Sequence, residues 1–321
     1  MPPHALHGVR LVPLRPARTD TDRLLVRLVA RRYSLEQGSE EAGLAAARAV
    51  LDRQGDALRC LAVEHDGVVV GRVWLAPSNG DLGVFDVDLP GGGETAGATA
   101  GPGVRAALVA QAVEERKHSV LLSSSPDDAG ACSVPDPAYG DEVAARQMRL
   151  GLADEPSYGS RGGGVPDVGV RPMTEEGYAA WHADELDAFA AELMGSGIDP
   201  DAAAEESRRQ HETLLPEGLD TPDQHFFTGY VDGVEVGTLW IGTERPMAFV
   251  YDLVVHAEPR RRGYGAALMV AGARWARERG SGTIGLNVFG HNEGARRLYE
   301  QLGWSTTEEH WRVPVEGDGT A

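Results

Sequence analysis

The sequence predicts an α/β fold made of two tandem copies of one domain, each a mixed, mainly antiparallel β-sheet flanked by helices. Three observations predict it. First, the chain repeats itself at a constant offset of 166 residues: EHDGVVVGRVWLA (64–76) matches YVDGVEVGTLWIG (230–242), aligning Asp66 with Asp232, Gly67 with Gly233, Gly71 with Gly237 and Trp74 with Trp240. The same offset carries Phe85-Asp86-Val87 onto Tyr251-Asp252-Leu253. Second, each copy sets Asp-Gly between β-rich runs, a hairpin signal because such turns need positive φ. Third, apolar residues recur at helical spacing in stretches that alternate with the strands.

The second copy reads element by element. VGVRPM (168–173) suits a first strand, and Tyr178, Trp181, Leu186, Phe189 and Leu193 mark an amphipathic helix that stops at Gly195. PDAAAEESRRQHETLL reads as a second helix, followed by the hairpin and the strand AFVYDLVV (248–255). Leu268, Ala271 and Trp275 stripe a helix that ends before Gly280, and TIGLNVF (283–289) is strand-like. Asn292 fits an N-cap; Ala295, Leu298 and Leu302 line the last helix, which Gly303 stops. The order is β-α-α-β-β-β-α-β-α-β. The Gly-, Pro- and Ser-rich ADEPSYGSRGGGVPDVG (153–169) reads as a linker. The division is 1–155, a linker at 156–167, and 168–321.

Composition narrows the function. A formal net charge of −19 repels nucleic acid and favours small cationic ligands. Lys117 is the only lysine, an arginine bias expected of a GC-rich bacterial genome. Two cysteines, Cys60 and Cys132, give neither a disulfide framework nor metal-ligand spacing, so no metal is expected. No apolar run is long enough for a membrane span and no secretory h-region is present, which makes the cytoplasm the expected compartment.

Strand, then Arg260-x-x-Gly263-x-Gly265 opening a helix, then Asn292-x-x-Ala295-x-x-Leu298-Tyr299-x-x-Leu302-Gly303-Trp304, resembles the GNAT superfamily of acyl-CoA-dependent N-acyltransferases. The physical logic agrees. Glycines let backbone approach a pyrophosphate, N–H groups at a helix N-terminus bind anions, and arginine pairs bidentately with phosphate. The resemblance implies acetyl-CoA as co-substrate, held by the arginines Arg260, Arg261 and Arg262, by Gly263, Tyr264, Gly265 and Ala266, and by Asn292. It implies that the preceding strand splays from its neighbour, so that Leu253, Val254 and Val255 run beside the pantetheine arm, with the Val255 N–H near the acetyl carbonyl. Tyr299 matches the family's general acid. Asn292 serves as cap, as coenzyme contact, or as both.

An alkyl ammonium is neutral in only about one molecule in 2,500 at pH 7, so a base is expected. Asp252, a carboxylate within an apolar strand, is the candidate, although Asp86 at the matching place allows a shared structural hydrogen bond instead. Glu185 and Asp184 read as a solvated helix face or as partners of a cationic substrate; Trp181 reads as core or as a substrate wall. Asn287, His256 and His291 fall near the expected cleft and receive no role.

The first copy lacks these features. Gly101-Pro102-Gly103 is a loose remnant of the loop without its arginine, and EVAARQMRLGLA stands for the last helix, keeping Leu150-Gly151 but placing Gln147 where Tyr299 stands. It reads as a degenerate copy packed against an active one. The expected activity is acetylation of a primary amine on a small, cationic molecule by direct attack, in a monomer or homodimer without nucleic-acid or membrane partners. A non-catalytic acyl-CoA-binding sensor, and acetylation of a thiol-cofactor precursor amine, are the alternatives.

Overall fold

A computed structural model describes residues 8–78, 80–89, 96–153, 166–195, 198–256 and 262–315, with backbone only at 96–99. The first repeat runs β1 (Val9–Leu14), α1 (Arg18–Leu28), a π-helical turn at Val29–Tyr33, α2 (Ser34–Gln37), α3 (Glu40–Gln54), β2 (Arg59–His65), β3 (Val68–Ser78), β4 (Asp81–Asp88), α4 (Ala96–Glu114), β5 (Ser119–Ser124), α5 (Ala129–Cys132) and β6 (Glu142–Gly151). The second runs β7 (Gly169–Pro172), α6 (Glu175–Gly195), α7 (Pro200–Leu214), β8 (Gln224–Val231), β9 (Val234–Gly242), β10 (Ala248–Val255), α8 (Tyr264–Glu278), β11 (Thr283–Phe289), α9 (Glu293–Gln301) and β12 (Ser305–Pro314). The element order of the second repeat is the one its sequence predicts.

The compact units do not coincide with the repeats. Unit 1 comprises Met1–Arg146 and Thr306–Ala321; unit 2 comprises Gln147–Ser305. The chain's last strand therefore completes the sheet of unit 1, in the order β1-β2-β3-β4-β5-β12, with Trp311 opposite Leu122. The end of β6 joins the sheet of unit 2, in the order β6-β11-β10-β9-β8-β7, and Met148 and Leu152 enter its core. The boundaries 1–155 and 168–321 delimit repeats, not compact bodies. Most of the linker falls outside the described residues.

The repeat is physical as well as textual. Both hairpins turn on Asp-Gly with φ of 51° and 80° at Asp66-Gly67 and 50° and 80° at Asp232-Gly233, the doubly positive geometry of a two-residue turn. Tyr251 is an extra residue where β10 passes β9, with Val250 opposite Ile241 and Asp252 opposite Trp240. Phe85 is the corresponding bulge of β4, with Val84 opposite Leu75 and Asp86 opposite Trp74. A bulge re-aims the side chains beyond it, so the same device presents Asp86 and Asp252.

Two expectations fail in the first repeat. EVAARQMRLGLA is not a helix: Glu142–Gly151 is strand β6, because sheet pairing overrides the helical preference of Ala, Arg, Met and Glu. The counterpart of α9 is the four-residue α5, which holds no tyrosine, so Gln147 and Leu150-Gly151 are not the equivalents of Tyr299 and Leu302-Gly303. Gly101-Pro102-Gly103 is not a loop remnant either; it lies inside α4, where a side chain at Gly101 would strike Ser133.

In unit 1 the parallel ladder between β4 and β5 covers only Leu82–Val84 and Val120–Leu122. Beyond it, guanidinium groups take up the polar edge of β4. Arg27 donates to both oxygens of Asp86 (2.8 and 3.0 Å), to the Val87 carbonyl (2.8 Å) and to Asp128 (2.5 Å). Arg31 donates to the Phe85 carbonyl (2.9 Å) and pairs with Asp86 and Glu308. Arg23 pairs with Asp88. Arg23, Arg27 and Arg31 are spaced by four, one face of continuous helical chain.

Candidate active site

The corresponding region of unit 2 is built differently. The parallel ladder of β10 and β11 covers only Ala248–Val250 and Ile284–Leu286, while β10 continues to Val255 against β9. Leu253, Val254 and Val255 lie on this extension. On β9 Gly237 stands opposite Val255, and a Cβ there would collide with the Val254 carbonyl, so glycine permits the close approach.

Asp252, just past the bulge, accepts a hydrogen bond from the Trp181 indole N–H at 2.9 Å. Trp181 is buried on α6, wedged against Trp240 and Phe226 with ring centroids 5.6 and 5.1 Å away. One turn further along α6 stands Glu185. Burial, then the charges of Asp252 and Glu192, push its carboxyl up to about 9. Burial likewise raises Asp252 to about 6, against the opposing hydrogen bonds from Trp181 and the Leu253 backbone. Two half-buried, mutually interacting carboxyls resist double ionisation, so at neutral pH the pair holds about one proton.

Tyr299, on α9, is also buried, with its ring 5.9 Å from that of Trp304. Burial and the Asp252 charge raise its hydroxyl to about 12, so it remains a protonated phenol across the physiological range. Asn292 caps α9, its side chain accepting from the Ala295 N–H at 3.1 Å, as its sequence position predicts.

At the start of α8, Gly263 takes a left-handed φ of 80°, which favours glycine, and provides no side-chain cap for the helix N–H groups. Arg262 is exposed beside it. A Cβ at Gly265 would stand 3.3 Å from the Leu298 side chain, closer than ordinary contact, and 3.5 Å from that of Val255. Ala266 is a core residue, and Tyr264 packs against the cluster of Val168, Val236, Ala267 and Leu268. Arg260 and Arg261 lie outside the described residues. Among the described residues no group of three or more His, Cys, Asp or Glu is arranged to hold a metal ion.

The structure thus brings together Trp181, Glu185, Asp252 and Tyr299. Asp184 is exposed, a solvated position, whereas its neighbour Glu185 is not the solvated residue that one reading allowed. Asp252 and Asp86 do not share a structural hydrogen bond: one meets an indole, the other guanidinium groups. His256 pairs with Glu235 at 2.9 Å, and Asn287 is exposed. Sequence reasoning missed Glu192, whose charge reaches Glu185 and which bonds His291 at 2.5 Å. The signal was available, since residues 181, 185 and 192 share one helix face.

The second repeat is similar to proteins of one known family. The family model described as Acetyltransferase (GNAT) family matches residues 185–304. The uncharacterized N-acetyltransferase YycN of Bacillus subtilis (strain 168) is 33% identical over 145 residues, covering 43% of this chain and 93% of the relative. The chain belongs to the GNAT acetyltransferase family. It is an acyltransferase enzyme and a tandem member, with the intact motifs in its second repeat. A second relative, the uncharacterized N-acetyltransferase YdgE of the same organism, is 30% identical over 149 residues, 44% of this chain and 95% of the relative. The crystal structure of a GCN5-related N-acetyltransferase from Sphaerobacter thermophilus shares the fold at 17% identity and a TM-score of 0.51, covering 97% of this chain and 96% of that one. No described helix of this GNAT protein is long and apolar enough to cross a membrane.

Glu185 also makes a stability prediction. Its folded value of about 9 lies above the unfolded one near 4.3, so the unfolded chain loses this proton first as pH rises. The contribution is complete below about pH 4 and is lost progressively up to about 9. Between pH 5 and 8 the wild type is expected to lose about 2–3 kcal/mol relative to Glu185→Gln, allowing for partial exposure. Denaturant unfolding of both proteins at the two pH values checks this. Parallel pH dependences would contradict the burial of a carboxyl at this position.

Proposed function

We propose that unit 2 transfers an acetyl group from acetyl-CoA to a primary amine of a small, cationic molecule, by direct attack at a single site. The observation that carries this reading is the convergence of Glu185, Asp252 and Tyr299 beside the part of β10 that runs on past its ladder with β11.

Acetyl-CoA is the donor substrate. Its pyrophosphate lies at the N-terminus of α8, against the backbone of Gly263 to Ala266 and the guanidinium of Arg262, where unpaired N–H groups and the helix dipole favour anions. Arg260 and Arg261 precede that loop in sequence and extend the same positive charge. Its pantetheine arm follows Leu253, Val254 and Val255, and Asn292 adds a contact from the cap of α9. The acceptor enters as an ammonium ion, drawn by the negative charge that the Glu185–Asp252 pair keeps at neutral pH, with Trp181 as a wall.

Asp252 takes a proton from the ammonium. A base with a value near 6 is ionised at pH 7 yet still basic enough for the transfer, and positioned acid–base groups contribute about 10²- to 10⁴-fold. The neutral nitrogen attacks the thioester carbonyl carbon, forming the C–N bond. As the C–S bond breaks, the Tyr299 hydroxyl gives its proton to the leaving thiolate and regains one from solvent; the amide nitrogen sheds its second proton. Products are the acetamide, free coenzyme thiol and one released proton.

Thiol release from acetyl-CoA across a panel of primary amines tests this reading. Turnover is expected with polycationic and simple alkyl amines and not with their carboxylate-bearing analogues. With the best acceptor, kcat/KM should fall as pH drops through about 6, because protonated Asp252 cannot act as base. Tight acetyl-CoA binding without turnover on any amine would favour a sensor.

A further inference from the structure

Unit 2 holds a cavity of about 450 Å³ that the acyl-transfer reading does not use. It opens where the short edge strand β7 meets β8 and the C-terminal end of α8, and its apolar walls include Val170, Met173, Leu219 and Phe227. Helix α8 separates it from the Gly263 loop by 15 residues, about 22 Å of helix. Its size and aromatic lining are those of small-molecule sites.

The charge in this cavity is unusual for the chain. None of its lining residues is acidic, although the net charge of the protein is −19. The ionised group on its wall is Arg279, whose guanidinium lies 4.0 Å over the Trp275 ring. The end of a helix favours a cation, and the indole face holds it flat. Neither uses the in-plane N–H edge, and among the described residues the Arg279 guanidinium has no hydrogen-bond or carboxylate partner. His225, on the same wall, packs on Trp275 at 4.6 Å and bonds the Thr243 hydroxyl through Nε2 at 3.0 Å. Burial and the Arg279 charge lower its pKa, against Asp223, which does not line the cavity. The wall therefore offers one positive charge, not two.

We infer that this cavity binds a small aromatic or branched apolar monocarboxylate, with its apolar body against Phe227 and Leu219 and its carboxylate on the N–H edge of Arg279. The exposed Arg279 guanidinium stands at the rim of the apolar cavity, where one cation matches a monoanion and leaves a dianion such as phosphate half-compensated. The inference is independent of the reaction proposed for Asp252 and Tyr299.

Phenylacetate is the probe, titrated against the full chain by calorimetry and tryptophan fluorescence. Saturable binding is expected at a dissociation constant of about 1 mM or tighter. Arg279→Gln should weaken it at least about tenfold, as should replacing the probe by neutral phenylacetamide. Arg279→Lys should retain part of the affinity, and the fluorescence change should vanish in Trp275→Phe. Arg279 lies at the exposed end of α8, Trp275 is half-buried against Phe227 and His225, and circular dichroism verifies that each variant folds. Absence of saturation by about 10 mM, equal binding by Arg279→Gln, or a fluorescence change that survives Trp275→Phe would each overturn the assignment.

Discussion

Tyr299→Phe is expected to lower kcat for acetyl transfer by about 10²- to 10⁴-fold while changing the affinity for acetyl-CoA by no more than about twofold. The substitution removes one oxygen from a buried ring that packs beside Trp304, so the core of unit 2 keeps its shape. What is lost is a proton held on a phenol raised to about 12, available to the departing thiolate at any working pH. A pure loss in kcat separates this role from binding, because a group acting only as the thiolate leaves contributes to the transition state alone. Initial rates of thiol release with a good acceptor, together with calorimetric titration of acetyl-CoA, measure the two quantities. Retained kcat would remove Tyr299 from the chemistry and leave it a core residue.

Arg27→Met carries the second large effect, on stability. Asp86 is completely buried and Asp88 nearly so, and Arg27 is the cation that bonds both oxygens of Asp86. Removing it leaves the buried Asp86 carboxylate with only the longer Arg31 contact at 3.4 Å, and breaking a buried pair in this way costs about 3–5 kcal/mol. The double variant Arg27→Met/Asp86→Leu should recover most of that loss, because the stranded charge goes with it. Denaturant midpoints of the wild type, both single variants and the double variant give the cycle. Additive losses would mean that the two residues act separately. The same ion pairs distinguish the first repeat from the second: the Val87 carbonyl, which corresponds to Leu253 at the start of the proposed pantetheine path, is bonded by Arg27, and the Phe85 carbonyl two residues before it by Arg31.

The sequence was most legible where local chemistry and tertiary context agree. The Asp-Gly turns declare their positive φ, Asn292 caps the helix it precedes, and the strand at 248–255 has the observed limits because its apolar run is bounded on both sides. It was least legible where context overrides local preference. The Ala- and Arg-rich stretch at 142–151 becomes a strand because a sheet receives it, and Pro102 sits within a helix despite its missing N–H. The exchange of terminal strands between units leaves no local trace at all.

The site was half legible for the same reason. Asp252 stood out as a carboxylate in an apolar run, and Tyr299 through its motif. The burial of Glu185 depends on what α6 packs against, which the exposed neighbour Asp184 disguises. The contrast between Asp86 and Asp252 was invisible, since their partners, Arg27 and Trp181, come from distant helices. Yet Arg23, Arg27 and Arg31, spaced by four, form a basic helix face in an acidic sequence.

Calorimetric titration of the full chain with acetyl-CoA tests most directly that one repeat performs the chemistry. One equivalent per chain is expected, weakened at least about tenfold by Arg262→Glu in the α8 loop and unchanged by Arg105→Gln on α4 of unit 1. Two equivalents, or one equivalent indifferent to Arg262→Glu and abolished by the substitution in unit 1, would contradict a single site in unit 2.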